Sequence, residues 1–229
     1  MAHGADDDSP EPPETPITEL AEAYLDALLD GDETAAEVVL REAMDVGLAS
    51  AEIYEKLIAP ALGLVGEMWE RGELTIAEEH LATEITVRVL ALQREAQRVT
   101  EARSRHGVLL ATPPGERHVV ALSMVANLLR AAGYHVLALG AEVPAQSLVA
   151  VADRHGVDVI CLSSTLPGRA NDTLRMIDDV RRGRPSAQFV IGGRGLKVDA
   201  QLRHDLNACE RVSEAVEAVD AVLQRARLN

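Results

Sequence analysis

The segment Thr112-Pro113-Pro114-Gly115-Glu116-Arg117-His118 places a carboxylate and an imidazole two residues apart. A histidine can ligate a metal through one ring nitrogen when a hydrogen bond holds the other. A neighbouring carboxylate supplies that hold, fixing the tautomer and raising the basicity of the free nitrogen. Glu116 is placed to do this for His118. No second His or Cys lies nearby to complete a zinc tetrahedron, so a single His fits a metal that brings most of its own ligands, such as one in a macrocycle. Two further clusters could line such a site. Ser163-Ser164-Thr165 offers three hydroxyls in a row, and Gly192-Gly193 removes two side chains where a ligand could pass close to the backbone. Glu-x-His by itself is a short motif, and alone it reads first as a histidine capping the helix that follows.

The elements around these clusters give them a common address. From residue 105, short apolar runs alternate with helical patterns. The runs are Val108–Ala111, His135–Leu139, Val157–Leu162 and Phe189–Ile191, with a weaker fifth near Ala208–Val212. Helical patterns follow at Val119–Ala132, Ala145–Arg154, Ala170–Arg182, briefly after Gly195, and at Ser213–Ala226. Alternation with continuously apolar strands predicts a parallel sheet covered on both faces. Five units in this length predict a flavodoxin-like, doubly wound α/β domain with strand order 2-1-3-4-5. Ligands of such sheets bind outside the carboxyl ends of the strands at the switch point, here between the loops Thr112–His118 and Ser163–Gly168.

The preceding residues read as helices. Ile17, Leu20, Ala21, Tyr24, Leu25 and Leu28 recur at helical spacing. Asp30-Gly31-Asp32 stops that helix and can cap a second over about 33–48. A third carries Tyr54, Leu57, Ile58, Ala61, Leu62, Val65, Met68 and Trp69 on one stripe, with a kink expected at Pro60 and an end at Gly72. Thr75-Ile76-Ala77-Glu78 is a capping-box pattern opening a fourth, with Leu81, Ile85, Val89, Leu92 and Ala96 expected to face inward. The chain therefore divides into an acidic tail (1–15) expected to be disordered, a four-helix bundle (16–104) and the α/β domain (105–229).

Composition narrows the function classes. The chain has 229 residues, enough to bury a sizeable core. Lys plus Arg is 22 against 37 Asp plus Glu, a net charge of −15, which argues against direct binding to a phosphate backbone. Aromatics are 2% of residues, so the core must be aliphatic. No run is long enough for a membrane span, and the start lacks the pattern of a signal peptide. A cytoplasmic protein is expected. Two cysteines, Cys161 and Cys209, exclude a disulfide framework. His106, His135, His155 and His204 fall in no ligand spacing, and there is no nucleophile elbow, Walker loop or Rossmann glycine fingerprint.

Together the clusters are far more specific than each alone. Glu116-x-His118-x-x-Ala121, Ser163-Ser164-Thr165 and Gly192-Gly193 resemble the DxHxxG…SxL…GG signature of cobalamin-binding domains, with Glu for Asp, Ala for Gly, and either Thr165 where Leu is usual or the register shifted to Ser164-Thr165-Leu166. The resemblance implies that His118 is the lower cobalt ligand. It further implies that the cofactor tail enters between the Ser loop and the Gly-Gly strand, past Glu116, Arg117 and Ala121, and that the bundle covers the upper corrin face. In the bundle, Trp69 is followed after nine residues by Glu79-His80. This Wx9EH pattern is similar to that of cobalamin-dependent light-sensing repressors and of the related photocobilins. By that resemblance Trp69 and Glu79 contact the adenosyl group, and His80 takes the upper cobalt position once light has broken the Co–C bond. The repressors carry a DNA-binding domain before the bundle. Here an acidic tail stands there, so a stand-alone member is expected, acting through self-association (a dimer) or a regulatory protein partner.

Three functions are thus in play. The first is an adenosylcobalamin light sensor, which is not an enzyme, with biliverdin or another bilin as a candidate second chromophore; neither cysteine is convincingly placed to attach one. The second is a corrinoid methyl carrier, a methyltransferase component. Such carriers usually continue Asp-x-His with Asp-Ile-Gly-Lys-Asn, where this chain reads Val119-Val120-Ala121-Leu122-Ser123, and as a rule they lack Wx9EH. The third is a flavodoxin-like signalling domain without its cofactor.

Overall fold

A computed structural model describes residues 16–96, 107–166, 168–196 and 206–228. The proposed tail and the domain junction near 104–106 lie outside the described residues, as does the short helix expected after Gly195.

The first half is a helical bundle: α1 (Pro16–Leu29), α2 (Glu33–Asp45), α3 (Ser50–Ile53) running through a π-helical turn (Tyr54–Ile58) into α4 (Ala59–Glu70), and α5 (Ile76–Ala96). Asp32 caps α2, its side chain accepting from Ala35 N at 2.9 Å. The box at α5 is reciprocal: Thr75 Oγ1 accepts from Glu78 N at 3.3 Å while Glu78 Oε2 accepts from Thr75 N at 2.7 Å. Pro60 does not break its helix. It has no N–H to donate and its ring crowds the carbonyl four residues back. The backbone widens just upstream, where Ala59 N bonds back five residues to Tyr54 O, and then continues.

Tyr24, Leu28, Leu40, Ile53, Tyr54, Leu57, Ile58, Val65, Ile85, Val89 and Leu90 fill the bundle core. Two sequence expectations are corrected here. Ile85 and Val89 are buried as expected, but Leu81 and Leu92 are 45% and 41% exposed, and α5 also buries Ala82, Thr86, Leu90 and Gln93; the side chain of Ala96 lies outside the described residues. The stripe differs because α5 accepts two polar residues inward: Thr86 is satisfied by Tyr24 Oη at 3.0 Å and by Ala82 O at 2.9 Å. The stripe of the third helix also stops short, with Val65 buried and Trp69 43% exposed.

The second half alternates β1 (Gly107–Ala111), α6 (Val120–Ala131), β2 (His135–Gly140), α7 (Ala145–His155), β3 (Val157–Ser163), α8 (Ala170–Gly183), β4 (Gln188–Gly192), β5 (Ala208–Cys209), a 3-10 turn (Val212–Glu214) and α9 (Ala215–Leu228). All strand pairs are parallel, in the order β2-β1-β3-β4-β5. The fifth strand is only two residues, and Val212 belongs to the 3-10 turn. Val108 and Leu110 pack into the core shared with α6 and α9, while Leu109 and Ala111 pack into the core shared with α7 and α8. Both faces of β1 are therefore dry, which makes its sequence continuously apolar. The edge strand β2 departs from this expectation: it is partly exposed, and Leu139 is 36% exposed.

The bundle docks on α6 and the 3-10 turn. Val120, Met124, Leu128 and Val212 pack against the bundle core. Asn127, almost fully buried, donates to Leu90 O at 3.1 Å and to Tyr54 Oη at 3.4 Å. Ser213 N donates to Glu55 Oε1 at 3.0 Å. Among the described residues, no helix is long and apolar enough to cross a membrane.

Candidate functional site

The loop after β1 is shaped by its own chemistry. Glu116 N donates to Pro113 O at 3.0 Å, closing a turn with Pro114 and Gly115 at its centre. Pro114 supplies the fixed φ of the first central position, and Gly115, at φ 82°, takes the second, which a side chain would resist. A Cβ there would also lie 2.0 Å from Arg169 Nη1, which reaches across the turn to donate to Pro114 O at 3.3 Å.

This turn drives the Glu116 side chain inward. The residue is fully buried, and its carboxylate accepts four hydrogen bonds. Oε1 takes His118 N at 3.0 Å and His118 Nδ1 at 2.5 Å; Oε2 takes Thr165 N at 2.6 Å and Leu166 N at 3.1 Å. Burial alone would push this carboxyl up, but the bonds outweigh it and hold the group below its usual range. The ionised acid fixes Nδ1 of His118 as the donor. It leaves Nε2 free on a side chain that is 52% exposed. Glu116 also pins the β3 loop to the β1 loop, so the two sides of the switch point share one carboxylate. Arg117 points outward and pairs with Glu142 at 3.1 Å.

The Ser and Gly clusters meet as the topology requires. Ser163 pairs with Gly192 across β3 and β4. Ser164 N donates to Gly192 O at 2.9 Å, and Gly195 N donates to Ser164 O at 3.1 Å. The chain itself uses the room at Gly193: its φ is 109°, and an added Cβ would sit 2.1 Å from Ser164 O. Gly192 is freer, with Cys209 O at 3.7 Å the nearest atom to a Cβ there. Ser164 is fully buried, and among the described residues its Oγ is one of three buried side-chain atoms without a hydrogen-bond partner. A buried hydroxyl left without a partner is costly, and a ligand group entering beside Gly192 would satisfy it. Ala121 lies in the first turn of α6, half-buried.

In the bundle, α4 ends in a Schellman turn, with Gly72 N on Trp69 O at 2.9 Å and Glu73 N on Met68 O at 2.9 Å. Trp69 stands at that end, and the Glu79–His80 pair stands in the first turn of α5 on the far side of the connection. Glu79 Oε2 meets His80 Nδ1 at 2.5 Å, with His80 70% exposed. Among the described residues, no hydrogen bond or ion pair joins Trp69 or His80 to the Glu116–His118 loop. No three His, Cys, Asp or Glu side chains converge as a metal cage among them either. Burial pushes the Cys209 thiol up to about 11 and the Cys161 thiol higher still, so neither is a ready nucleophile.

Thr112 and Leu166 fall within the two loops that the sequence marks, but nothing there assigns them a role; Glu142 and Arg169 were missed. Leu166 and Glu142 act through backbone amides, which no residue type announces, and Arg169 reads as one arginine among many.

A helical bundle docked on a doubly wound sheet, with a carboxylate-held imidazole at the sheet's carboxyl edge, is an arrangement that fits a cofactor whose metal carries its own equatorial ligands. The chain matches the B12 binding domain family over residues 107–223 and a second B12 binding domain model over residues 20–92. It belongs to the B12-binding family and is a two-domain cobalamin-binding protein. The HTH-type transcriptional repressor CarH of Myxococcus xanthus is 32% identical over 198 residues, which are 84% of this chain and 63% of the repressor. Trimethylamine corrinoid protein 1 of Methanosarcina acetivorans is 27% identical over 205 residues, covering 86% of this chain and 94% of that protein. The monomethylamine corrinoid protein of Methanosarcina barkeri shares the fold, with a TM-score of 0.73 over 88% of this chain and 97% of that one, at 17% identity.

Proposed function

We propose that this protein is an adenosylcobalamin light sensor that changes conformation or assembly on illumination and signals through self-association or a protein partner. Adenosylcobalamin supplies a cobalt–carbon bond that light breaks. In this reading His118 holds cobalt from below through Nε2, with Glu116 behind it. Ser164 and Gly192 receive the cofactor tail, lined by Arg117, Ala121, Ser163, Thr165 and Gly193. Trp69 and Glu79 line the upper side.

The observation that carries the reading is the second carboxylate-held histidine. Glu79 fixes Nδ1 of His80 as Glu116 fixes that of His118, at 2.5 Å in each case. Each imidazole therefore keeps Nε2 free for a metal. We assign His80 to the upper cobalt position after illumination. The exposed Trp69, at the end of α4, offers a rigid aromatic face to an adenosyl or corrin surface.

A corrinoid methyl carrier is the second reading, favoured by the 94% coverage of the trimethylamine corrinoid protein. The test is an absorption spectrum of the adenosylcobalamin-loaded chain in the dark and after green light, with size-exclusion chromatography of both samples. A lasting spectral change with a shift in assembly supports the sensor, and a further visible band in the protein as purified would identify a bilin. His118→Ala then weakens cofactor retention in the dark, and His80→Ala changes the illuminated spectrum. Equal cofactor loss from both overturns that division of roles. A preference for methylcobalamin with no change in assembly selects the carrier.

A further inference from the structure

We propose that Thr112 is a positioning residue for the cobalt-ligating histidine, acting through the loop that carries it; this rests on the reading of His118 as lower ligand. Thr112 directly follows β1 and is fully buried. All four of its hydrogen-bonding groups are committed. Its N–H donates to Gly140 O at 3.0 Å, and its carbonyl accepts from Val143 N at 3.0 Å. Its hydroxyl donates to Glu116 O at 2.6 Å and accepts from Glu142 N at 3.0 Å.

One side chain therefore ties the histidine loop to the β2–α7 loop. The bond to Glu116 O acts on the residue whose carboxylate orients His118. With the Pro113–Glu116 turn closed and Arg169 on Pro114 O from the other side, the Thr112 hydroxyl adds a hold on the turn at the Glu116 carbonyl. Because Glu116 Oε1 binds both the backbone and the ring of His118, any swing of Glu116 reaches the imidazole.

Glu142 closes the bracket. It is one of two non-glycine residues with positive φ among those described, at 54°. Such a conformation persists only where the surroundings over-determine it. Here its amide is held by Thr112 and its carboxylate by Arg117, the residue between Glu116 and His118. The loop bearing the ligand is thus fixed at two points, by Thr112 at Glu116 O and by Glu142 at Arg117.

Valine has nearly the shape of threonine. Thr112→Val keeps the two backbone bonds and removes only the hydroxyl that links Glu116 O to Glu142 N. The full chain, labelled with 15N-histidine, is loaded with cobalamin and reduced to Co(II). The nitrogen splitting in its electron paramagnetic resonance spectrum reads whether the lower ligand is a protein histidine. Wild type should show a label-dependent splitting that His118→Ala lacks. Its absence from wild type overturns the reading of His118, and the proposal with it.

With that splitting present, Thr112→Val should lower the histidine-bound fraction and weaken cobalamin retention by about tenfold, at the low end of what removal of an orienting partner does. Thr112→Ser should restore both. Wild-type splitting and retention in Thr112→Val overturn the proposal while the reading of His118 stands. If the valine variant does not fold, Thr112→Ala removes the same hydroxyl without adding a methyl group and is judged by the same two outcomes.

Discussion

Glu116 and His118 are joined twice through one oxygen: Glu116 Oε1 accepts both the backbone N–H of His118 at 3.0 Å and its ring Nδ1 at 2.5 Å. The second oxygen accepts two amides of the β3 loop. All four donors need an acceptor that is negative and buried. Glu116→Gln replaces one acceptor oxygen with an NH2 group, so at least one buried N–H faces another donor. The expected cost is about 1–3 kcal/mol of stability, measured by denaturant unfolding of the cofactor-free chain.

The same carboxylate sets an acid limit. Its folded-state pKa lies below the ordinary value, so the unfolded chain binds the extra proton first. Its contribution is present above the ordinary carboxylate range and is lost as pH falls through the folded value. Stability of Glu116→Gln should fall less steeply than wild type on the acid side. Parallel acid profiles for the two proteins would show that the pocket does not lower the carboxyl's pKa.

Gly193 is required by the chain before any ligand arrives. At φ 109°, with Ser164 O 2.1 Å from where a Cβ would sit, Gly193→Ala strains the backbone and forces the two loops apart. A cost of about 1–3 kcal/mol is expected from the conformation alone, and more from the overlap. Gly192→Ala, whose Cβ would meet Cys209 O at an ordinary contact of 3.7 Å, should leave stability near wild type. Thermal unfolding of the two variants checks the contrast, and equal shifts would refute it.

The sheet was legible because buried parallel strands leave short continuous apolar runs, and the predicted runs match β1 to β4 within about a residue at each end. The Glu116–His118 pairing was legible because it is local, two residues apart. The carboxylate's grip on Thr165 and Leu166 was not, since it crosses some fifty positions to backbone amides that carry no residue signature. The inward stripe of α5 was legible only at Ile85 and Val89, because apolar periodicity does not mark buried polar residues. Thr86 and Gln93 hold core positions, while Leu81 packs over Gly31, within 2.9 Å of where a Cβ would be, and still keeps much of its surface exposed. Trp69 stands near a helix end as expected, but it is 43% exposed although it continues the apolar stripe.

Tyr24 sets an alkaline limit on the bundle. Its ring is fully buried, and burial pushes the hydroxyl up to about 12, with the bond to Thr86 only partly opposing this. In the unfolded chain it titrates near 10.0. Between those values the unfolded state gives up a proton that the folded state keeps, so stability is full below pH 10 and falls as pH rises toward 12. At about 1.4 kcal/mol per unit, the loss is roughly 2–3 kcal/mol. Tyr24→Phe removes this linkage. At neutral pH it should cost only about 1 kcal/mol, because Thr86 keeps its bond to Ala82 O at 2.9 Å. Above pH 10 the variant should lose stability more slowly than wild type, with Tyr54, also raised by burial, supplying the slope that remains. Denaturant unfolding at pH 8, 10 and 11 decides the matter: identical slopes for the two proteins would mean that Tyr24 ionises as freely in the bundle as in the unfolded chain.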